Sequence, residues 1–372
     1  MGRVRPFFED DITQVAELYA KTFLQGRAPY GSVPSTIVKA YFDRIFFHNP
    51  WRDQDQQLSS LVYEEDDGKI VGFQGVTPRR MIMKGQLVRV ALSLHLMVEP
   101  GSRSTLAGVK LLKKLFSGPQ DLSITDGAND LGRKLWEGVG GTTALLYSVN
   151  WTRLLRPSQY AMHLLGRKNR FLSSLSAASR PLGYTVDSLA SWIMPHRFRY
   201  PSPPDLGGKL DEATFLECFS QFADFESLSP QYDLLCLKWL FAQASRAREL
   251  GFFQKVAVRN ERGKTIGWYL YYLNSGGISE VVHIAARNNS ISEVLDHLFY
   301  HAWSNGSLAV SGRLEPRFMQ ELAERDCLLN CGRPWVLVHS NNPQLLRAIH
   351  RGDALMARID GEWCLRPSAQ PS

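Results

Sequence analysis

The spacing of apolar residues along the first 150 positions predicts alternating helices and strands. An apolar residue recurs every three or four positions from Ile12 to Phe23, which predicts an amphipathic helix. The same reasoning predicts, in chain order, a helix over 35–47, strands over 60–63, 70–76 and 88–98, a helix over 105–115, a strand over 122–125, a helix over 129–139 and a strand over 143–149. This alternation predicts an α/β (α+β) fold with a mixed sheet and excludes an all-β fold.

A second copy of the pattern follows in the C-terminal half. Residues 68–73 (GKIVGF) match residues 263–268 (GKTIGW), and both segments lie in a predicted turn that leads into a strand. Residues 88–115 match roughly 277–303 in the order strand, then helix. Because two separate segments recur in the same order, the sequence predicts a duplicated domain.

The length of the chain and its prolines suggest where the domains divide. At 372 residues the chain is long enough for two domains. The proline-rich stretch around Pro203 and Pro204 predicts an extended connector. We therefore predict an N-terminal domain over 1–155, a basic, proline-containing linker over 156–208 and a C-terminal domain over 209–368.

The net charge of +7 is concentrated in one segment. Between Arg153 and Tyr200 there are eight basic residues and a single acidic one, Asp187. The basic residues are Arg153, Arg156, Arg167, Lys168, Arg170, Arg180, Arg197 and Arg199. Two interpretations are open, a linker that faces water and a patch that attracts an anionic partner.

Other features bear on the compartment and on metal binding. The first ten residues lack the apolar stretch of a secretory signal, and no uncharged apolar run approaches the roughly 18 residues of a membrane span. We therefore expect a cytoplasmic protein with no transmembrane segment, whose five cysteines are free thiols. Cys327, Cys331 and His339 match no common zinc spacing, so no metal site is predicted.

Residues 94–108 combine two features that suit an acyl donor linked to a nucleotide. A strand edge can bond an extended pantetheine arm through backbone groups, and a helix N-terminus favours an anionic pyrophosphate. Here a strand over 94–98 is followed by the turn 99–102 and by a helix that begins near Arg103. The end of the turn and the start of the helix, residues 101–108, are rich in Gly, Ser, Thr and Ala, whose small side chains allow backbone to approach phosphate closely.

The stretch Arg103-Ser104-Thr105-Leu106-Ala107-Gly108 resembles the cofactor motif of the GNAT superfamily, the acetyl-CoA-dependent N-acetyltransferases. That motif reads Arg or Gln, two residues, Gly, any residue, then Gly or Ala; Leu106 stands at its middle Gly. The resemblance covers about residues 3–150. It implies two tandem GNAT-like domains, each a mixed, mostly antiparallel sheet flanked by helices, with acetyl-CoA or another acyl-CoA as co-substrate.

The resemblance also implies a set of cofactor contacts. The backbone of one strand would bond the pantetheine arm, the motif would hold the pyrophosphate, and one Asn would lie near the thioester. In that order the residues are Leu96, Met97 and Val98; Arg103, Ser104, Thr105, Leu106, Ala107 and Gly108; and Asn129.

The second copy differs at the same helix start. Glu293 takes the place of Thr105 and Asp296 the place of Gly108, and residues 290–293 (SISE) form a capping box of their own. Two carboxylates in the first turn would satisfy the helix end and repel a pyrophosphate. We therefore expect the C-terminal domain to be a degenerate copy that binds no acyl-CoA.

Acyl transfer to an amine needs a group that takes a proton from nitrogen. His95 and Glu99 are the candidates, and their spacing of four on one strand predicts that they share a face. For His95, an ordinary strand histidine with satisfied hydrogen bonds is the alternative. Where the family often has a tyrosine that acts as the general acid, this sequence has Trp136, whose indole cannot serve as a proton donor in the reaction. A mechanism that works by positioning the substrates, with no dedicated acid, is therefore also open. Tyr147 is available but has no assigned role.

The acceptor is expected to meet the residues that follow the second helix. Phe47, His48, Asn49 and Trp51 offer aromatic surface with polar tips, as ligand pockets often do. The alternative is that they form core and loop, since aromatic residues at helical spacing are usually buried.

These observations favour an acyl-CoA-dependent N-acyltransferase with acetyl-CoA as the expected donor and a small-molecule or peptide amine as the acceptor. Two alternatives remain. A non-catalytic acyl-CoA-binding or scaffold protein would tolerate the missing glycine and the tryptophan. A Fem-like aminoacyl transferase, which also has paired GNAT-like domains, would use tRNA and would place the basic segment on its phosphates.

Overall fold

The computed structural model describes most of the chain. The described residues are 2–24, 34–52, 58–99, 106–168, 200, 202–204, 206–222, 227–287, 289–365 and 367. Arg103, Ser104 and Thr105 of the predicted pyrophosphate loop lie outside them, as does most of the basic segment between Arg153 and Tyr200.

The described residues form fifteen strands and ten α-helices. The strands are β1 (Arg3–Pro6), β2 (Leu61–Glu64), β3 (Ile70–Met83), β4 (Gln86–Val98), β5 (Leu122–Ala128), β6 (Thr142–Thr143), β7 (Val149–Leu154), β8 (Leu206–Lys209), β9 (Ser229–Pro230), β10 (Phe252–Arg259), β11 (Thr265–Leu273), β12 (Ile278–Ala286), β13 (Ala309–Arg313), β14 (Leu328–Cys331) and β15 (Trp335–His339). The helices are α1 (Ile12–Tyr19), α2 (Ser35–Phe46), α3 (Ala107–Phe116), α4 (Asp130–Gly138), α5 (Pro157–Lys168), α6 (Glu212–Phe222), α7 (Leu234–Arg246), α8 (Ile291–Ser304), α9 (Met319–Glu324) and α10 (Pro343–Arg351).

The chain divides into two compact units, each assembled from segments that are distant in sequence. Unit 1 comprises Met1–Ser148, Asp224–Ala247 and Gly332–Ser372, and unit 2 comprises Val149–Ala223 and Arg248–Cys331. The units therefore differ from the contiguous domains predicted from the sequence. The reason is strand pairing, because β7 joins the sheet of unit 2 and β15 joins the sheet of unit 1.

The sheet of unit 1 has the order β1-β2-β3-β4-β5-β15-β6, with β9 beside β3. Its strands pair antiparallel except β4 and β5, which are parallel. β15 lies between β5 and β6, and its residues Val336, Leu337 and Val338 are fully buried. A segment more than 200 residues downstream of β5 in sequence thus completes this sheet between β5 and β6.

Helices cover both faces of the unit 1 sheet. The amphipathic patterns of α1 and α2 place Val15 and Phe42 against Phe73 on one face. On the other face, α3 and α4 contribute Leu111 and Trp136 to a second core. The sheet is therefore buried on both sides, as the long apolar run of β3 predicts.

The sheet of unit 2 has the order β14-β7-β13-β12-β11-β10-β8, and β12 and β13 form its parallel pair. Helix α8 packs on it through Val294 and Leu298, against Tyr269 and Tyr271. The hairpin, parallel strand and covering helix of unit 1 thus recur here in the same order. The predicted α/β (α+β) class, with two tandem domains built on mostly antiparallel sheets, is confirmed.

One predicted strand is wrong. Residues 143–149 were expected to form a strand, but β6 ends at Thr143 and a 3-10 turn occupies Leu146–Ser148. Tyr147 explains the turn, because its buried hydroxyl donates to the carbonyl of Ala354 at 2.5 Å and anchors the chain there. The strand that follows, β7, pairs with β13 and β14 of unit 2.

Within the described residues, no helix is both long and apolar enough to span a membrane. The five cysteines are free thiols; four are buried and Cys331 is exposed. Among the same residues no group of His, Cys, Asp and Glu side chains has the arrangement of a metal site.

Candidate active site

The parallel strands of unit 1 separate partway along their length. β4 and β5 pair at Val90–Leu122, Ala91–Ser123 and Leu92–Ile124, yet β4 continues to Val98 and β5 to Ala128. In the described residues no ladder joins them beyond Leu92. The main-chain N–H of His95 donates to Glu362, but the edge of β4 from Leu96 to Val98 has backbone groups that β5 does not satisfy. Such groups can bond an extended ligand.

A β-bulge in β4 lies where the strands part. Phe73 pairs with Met97 and Gly75 with Leu94, so two residues of β4, beginning with His95, oppose a single residue of β3. His95 has a φ of 49°, a left-handed conformation that costs a residue other than glycine about 1 kcal/mol or more. Gly75 permits the bulge, because a Cβ there would lie 2.7 Å from the Phe46 ring and 2.8 Å from the Leu94 carbonyl oxygen.

The bulge holds the His95 side chain in a hydrogen-bonded cluster. Its Nδ1 lies 3.0 Å from Oε1 of Glu362, and its main-chain N–H donates to the same oxygen at 3.1 Å. Its Nε2 lies 2.6 Å from the hydroxyl of Tyr41, which also donates to the carbonyl of Leu365 at 3.0 Å. Only 8% of the His95 side chain is exposed. His95 thus joins α2, β4 and the C-terminal segment of unit 1.

Glu362 approaches from a 3-10 turn near the end of the chain. Its main-chain N–H donates to Asp126 at 2.7 Å, and its Oε2 lies 3.4 Å from the hydroxyl of Thr125. The two glycines at the contact are required for it, because a Cβ at Gly127 would overlap the Glu362 carboxylate and a Cβ at Gly361 would overlap Asp126. No sequence pattern marks Glu362, since 267 residues separate it from His95.

Glu99, the other predicted base, lies just beyond the end of β4 in an ion-pair network. Its carboxylate bonds to Lys69 at 2.5 Å and to Lys21 at 3.1 Å. The hydrogen bond from Lys69 holds the pKa of Glu99 below its usual range. His95 and Glu99 both face the side of the sheet covered by α1 and the residues that follow it, His95 against Tyr19 and Glu99 against Lys21, but they bond to different partners. The geometry of Glu99 suits an ion pair better than a proton acceptor.

Helix α3 begins at Ala107, close to the predicted motif. Leu106 is its N-cap residue and is 61% exposed, with no side-chain cap and no acidic residue in the first turn. Ala107 and Gly108 face inward, and a Cβ on Gly108 would lie 3.1 Å from Leu135 and 3.5 Å from Val98. Gly108 therefore serves the packing of α3 on its neighbours, a role that the motif resemblance did not separate from phosphate binding.

The other predicted cofactor contacts have clear structural positions. Leu96 and Val98 pack their side chains toward α3, and Met97 is buried in the opposite core, so these residues can offer a ligand only backbone groups. Asn129 is the N-cap of α4, and its side-chain oxygen accepts from the N–H of Gly132 at 2.8 Å.

The predicted acceptor-binding residues form largely core and loop. Phe47 packs on Phe7 with ring centroids 5.0 Å apart, and the buried amide of Asn49 donates to a carbonyl of α2 and accepts from the N–H of Trp51. Trp51 is 3% exposed, whereas His48 is exposed and lies near Asp43. Their placement in an acceptor site stays a prediction.

A buried arginine lies against Trp51 and was not anticipated from the sequence. The guanidinium of Arg79 is centred 3.9 Å from the Trp51 ring, and two of its nitrogens, Nε and Nη2, have no hydrogen-bond partner among the described residues. Burial lowers the pKa of Arg79 to about 10, and burial raises the pKa of the nearby Asp360 to about 6. Tyr232 donates to Asp360 at 2.6 Å. The cluster brings together β3, the turn after α2 and two segments distant in sequence, so no local pattern marks it.

Trp136 has a packing role. It is 2% exposed, packs edge-on against Phe116 and donates its indole N–H to the carbonyl of Val338 at 3.2 Å. It therefore links α4 to β15.

In unit 2, His283 occupies the position that corresponds to His95 in the duplicated sequence. Its Nδ1 accepts from the Trp268 indole at 3.3 Å, and its Nε2 has no partner within the described residues. Helix α8 carries Glu293 in its first turn, and Asp296 is paired with Arg325 at 2.7 Å. Among the described residues of unit 2, the histidine therefore has no carboxylate partner, and the corresponding helix has an acidic residue in its first turn.

The buried histidine makes a testable contribution to stability. Burial lowers the pKa of His283 to about 3, far below the value near 6.5 of an unfolded chain. The unfolded state therefore binds more protons below pH 6.5, and stability is lost as the pH falls from 6.5 toward 3. For one such histidine the loss between pH 7 and pH 5 is about 2 kcal/mol.

We expect His283→Gln to remove this part of the pH dependence. Denaturant unfolding at pH 7 and pH 5 should show a loss in the wild type that exceeds the loss in the variant by about 2 kcal/mol. Glu315, whose pKa burial raises to about 7, acts in the opposite direction but equally in both proteins. Equal losses in the two proteins would contradict the assignment.

Comparisons with known proteins agree with this architecture. No protein-family model matches the chain, and no curated protein sequence does. Among solved structures, a probable N-acyltransferase from Enterococcus faecalis V583, described as a conserved protein of unknown function, has a TM-score of 0.59 at 11% identity and covers 91% of this chain and 73% of its own.

Two GCN5-related N-acetyltransferases are similarly related. The protein from Kribbella flavida has a TM-score of 0.54 at 13% identity, over 91% of this chain and 71% of its own. The protein from Anabaena variabilis ATCC 29413 has a TM-score of 0.58 at 13% identity, over 92% of this chain and 74% of its own. At these identities the similarity is one of fold. The chain therefore has a GNAT-like fold, that of the GCN5-related N-acetyltransferases.

Proposed function

We propose that this protein is an acyl-CoA-dependent N-acyltransferase whose reaction takes place in unit 1. The observation that carries the proposal is the separation of β4 from β5 after Leu92, beside a bulge at His95. The fold shared with N-acetyltransferases supports it. Acetyl-CoA is the proposed donor, a small-molecule or peptide amine the proposed acceptor, and the cytoplasm the proposed compartment.

The residues of unit 1 suit the two ends of an acyl-CoA. Unpaired backbone groups of residues 96–98 would bond the amides of the pantetheine arm along the edge of β4. The start of α3, which has no acidic residue in its first turn, would face the pyrophosphate with its free N–H groups and its dipole. Bound there, the acyl-CoA supplies an activated thioester carbonyl close to the bulge.

Unit 2 is proposed to bind no acyl-CoA. The corresponding helix α8 has Glu293 in its first turn, and a carboxylate there occupies the positive end of the helix dipole. One acyl-CoA per chain is therefore expected.

We expect acetyl-CoA to raise the melting temperature of the full chain. A ligand present at about one hundred times its dissociation constant stabilises the native state by about 2.7 kcal/mol, which differential scanning fluorimetry resolves. Titration by calorimetry should give a stoichiometry of one. Thiol release across a panel of polyamines, aminoglycosides and peptides then distinguishes an enzyme from a non-catalytic binding protein. A protein that shows no thermal shift with acetyl-CoA or longer acyl-CoAs would contradict the proposal.

A further inference from the structure

We propose that Glu362 accepts the proton that the acceptor amine loses during acyl transfer, and that His95 positions its carboxylate. This inference rests on the proposed function of unit 1. It assigns the step to a residue near the end of the chain and not to Glu99 on the strand itself.

Glu362 lies close to the point where β4 and β5 separate. Its carboxylate bonds to the main chain of His95 on β4 and lies 3.4 Å from Thr125 on β5. Thr125 directly follows the last β4–β5 pair, Leu92–Ile124, and His95 lies three residues beyond Leu92, so the carboxylate stands close to the point where the two strands part. An acyl group carried along the edge of β4 would end beside it, and 17% of the Glu362 side chain remains exposed.

The contacts of Glu362 hold its carboxylate in place. Oε1 faces two donors of one residue, the main-chain N–H and the ring Nδ1 of His95. A carboxylate can only accept, so the ring proton must lie on Nδ1. Nε2 then either accepts from Tyr41 or, when the ring is doubly protonated, donates to Tyr41 while Tyr41 donates to Leu365. The ring thus stays bonded to Glu362 in both protonation states.

Other charged and titratable groups surround the pair. Asp126 of β5 accepts the main-chain N–H of Glu362, and Tyr19 of α1 lies with its ring 5.3 Å from that of His95. Tyr41 of α2 contacts the ring through its hydroxyl. Within this group Glu362 is the residue that combines a carboxylate, contact with both open strands and partial exposure.

The reaction balances with this single acceptor. An ammonium group gives one proton to Glu362, and the free amine forms a bond from nitrogen to the thioester carbonyl carbon. The carbon–sulfur bond then breaks, one further proton passes from nitrogen to the leaving thiolate, and Glu362 returns its proton to water. The products are an amide, a free thiol and one released proton.

We expect Glu362→Gln to remove the proton acceptor and to leave the cofactor site intact. The variant should keep the acetyl-CoA thermal shift and lose about one hundredfold or more in the rate of thiol release at pH 7.5, as general bases typically contribute. Thiol release is followed with the amine panel and with water as the acceptor. Glu17→Gln, an exposed glutamate on α1, is the matched control and should behave as wild type.

A second readout does not depend on any acceptor. In the 15N spectrum of the wild type at pH 8, the His95 ring should show the Nδ1–H tautomer, and in Glu362→Gln this preference should weaken. The signal is assigned by its loss in His95→Gln. A merely structural role of Glu362 would not change the tautomer in a variant that melts as the wild type does.

The possible outcomes separate the two proposals. Equal thiol release by wild type and Glu362→Gln overturns the role of Glu362, and so does a variant that loses the acetyl-CoA shift together with turnover. An unchanged His95 tautomer also overturns it. If the wild type shows neither a thermal shift nor thiol release, the proposed function itself fails.

Discussion

Replacing Leu106 with Glu is expected to abolish the acetyl-CoA thermal shift without destabilising the free protein. Leu106 is the exposed N-cap of α3, so a glutamate there buries no charge. A carboxylate at a helix N-terminus stabilises the helix by about 0.3–1 kcal/mol, because it complements the dipole. The same charge would repel a pyrophosphate. The substitution is therefore expected to raise the stability of the free protein and to weaken acetyl-CoA binding. A variant that merely unfolds would lose both.

Leu106→Gln is the matched control, since it has the same length as Glu and no charge. Fluorimetry with and without acetyl-CoA should show a shift for wild type and Leu106→Gln and none for Leu106→Glu. If the carboxylate occupies the pyrophosphate site itself, raising the salt concentration should not restore binding. If the carboxylate acts only by long-range repulsion, salt should screen that repulsion and restore binding. Retention of the full shift in Leu106→Glu would mean that the pyrophosphate lies elsewhere. This substitution thus tests the predicted pyrophosphate site at Leu106, the first residue of the motif that the structure describes.

The fragment 1–155 is expected not to fold by itself. This fragment matches the domain predicted from the sequence but lacks β15, which lies between β5 and β6 in unit 1. Three fully buried side chains of β15 would be missing, and the burial of each contributes about 1.5–3 kcal/mol to the free energy of unfolding. The edge of β5 that pairs with β15 would become exposed. A loss of that size is comparable to the whole stability of a typical domain.

The measurement is circular dichroism and a 15N–1H correlation spectrum of the fragment beside the full chain. The fragment should aggregate or give poorly dispersed signals, whereas the full chain should unfold cooperatively. The fragment 209–368 should behave in the same way, because it lacks β7 from its position between β13 and β14. A folded, monomeric fragment 1–155 would show that β15 is dispensable for unit 1.

Local physics explains which elements of the fold were predictable. The helical spacing from Ile12 and the apolar strands 70–76 and 88–98 correspond to α1, β3 and β4, since each pattern follows from burial of one face or both. The strand predicted over 143–149 failed because Tyr147 is held by Ala354, a partner 207 residues away. The spacing of apolar residues along the chain carries no information about such a distant partner.

The candidate site shows the same division. His95 was identified from the sequence as a candidate, but its strained backbone follows from the bulge opposite Gln74, a matter of strand register. The sequence pattern of α2 indicates that Tyr41, the partner of His95, is a core aromatic. The Tyr41 ring is buried as expected, but its hydroxyl contacts His95. Arg79 lies within a strand pattern, and only the packing of Trp51 against it reveals a buried charge.

The sequence by itself determined the fold class, the duplication and the difference in charge between the two helix starts, because these depend on residue type at regular spacing. Tertiary structure alone decided that β7 and β15 complete sheets far from their neighbours in sequence, and that Glu362 meets His95. All of these contacts depend on the close approach of distant segments, which no local pattern encodes. At Glu362 the glycines Gly127 and Gly361 permit that approach.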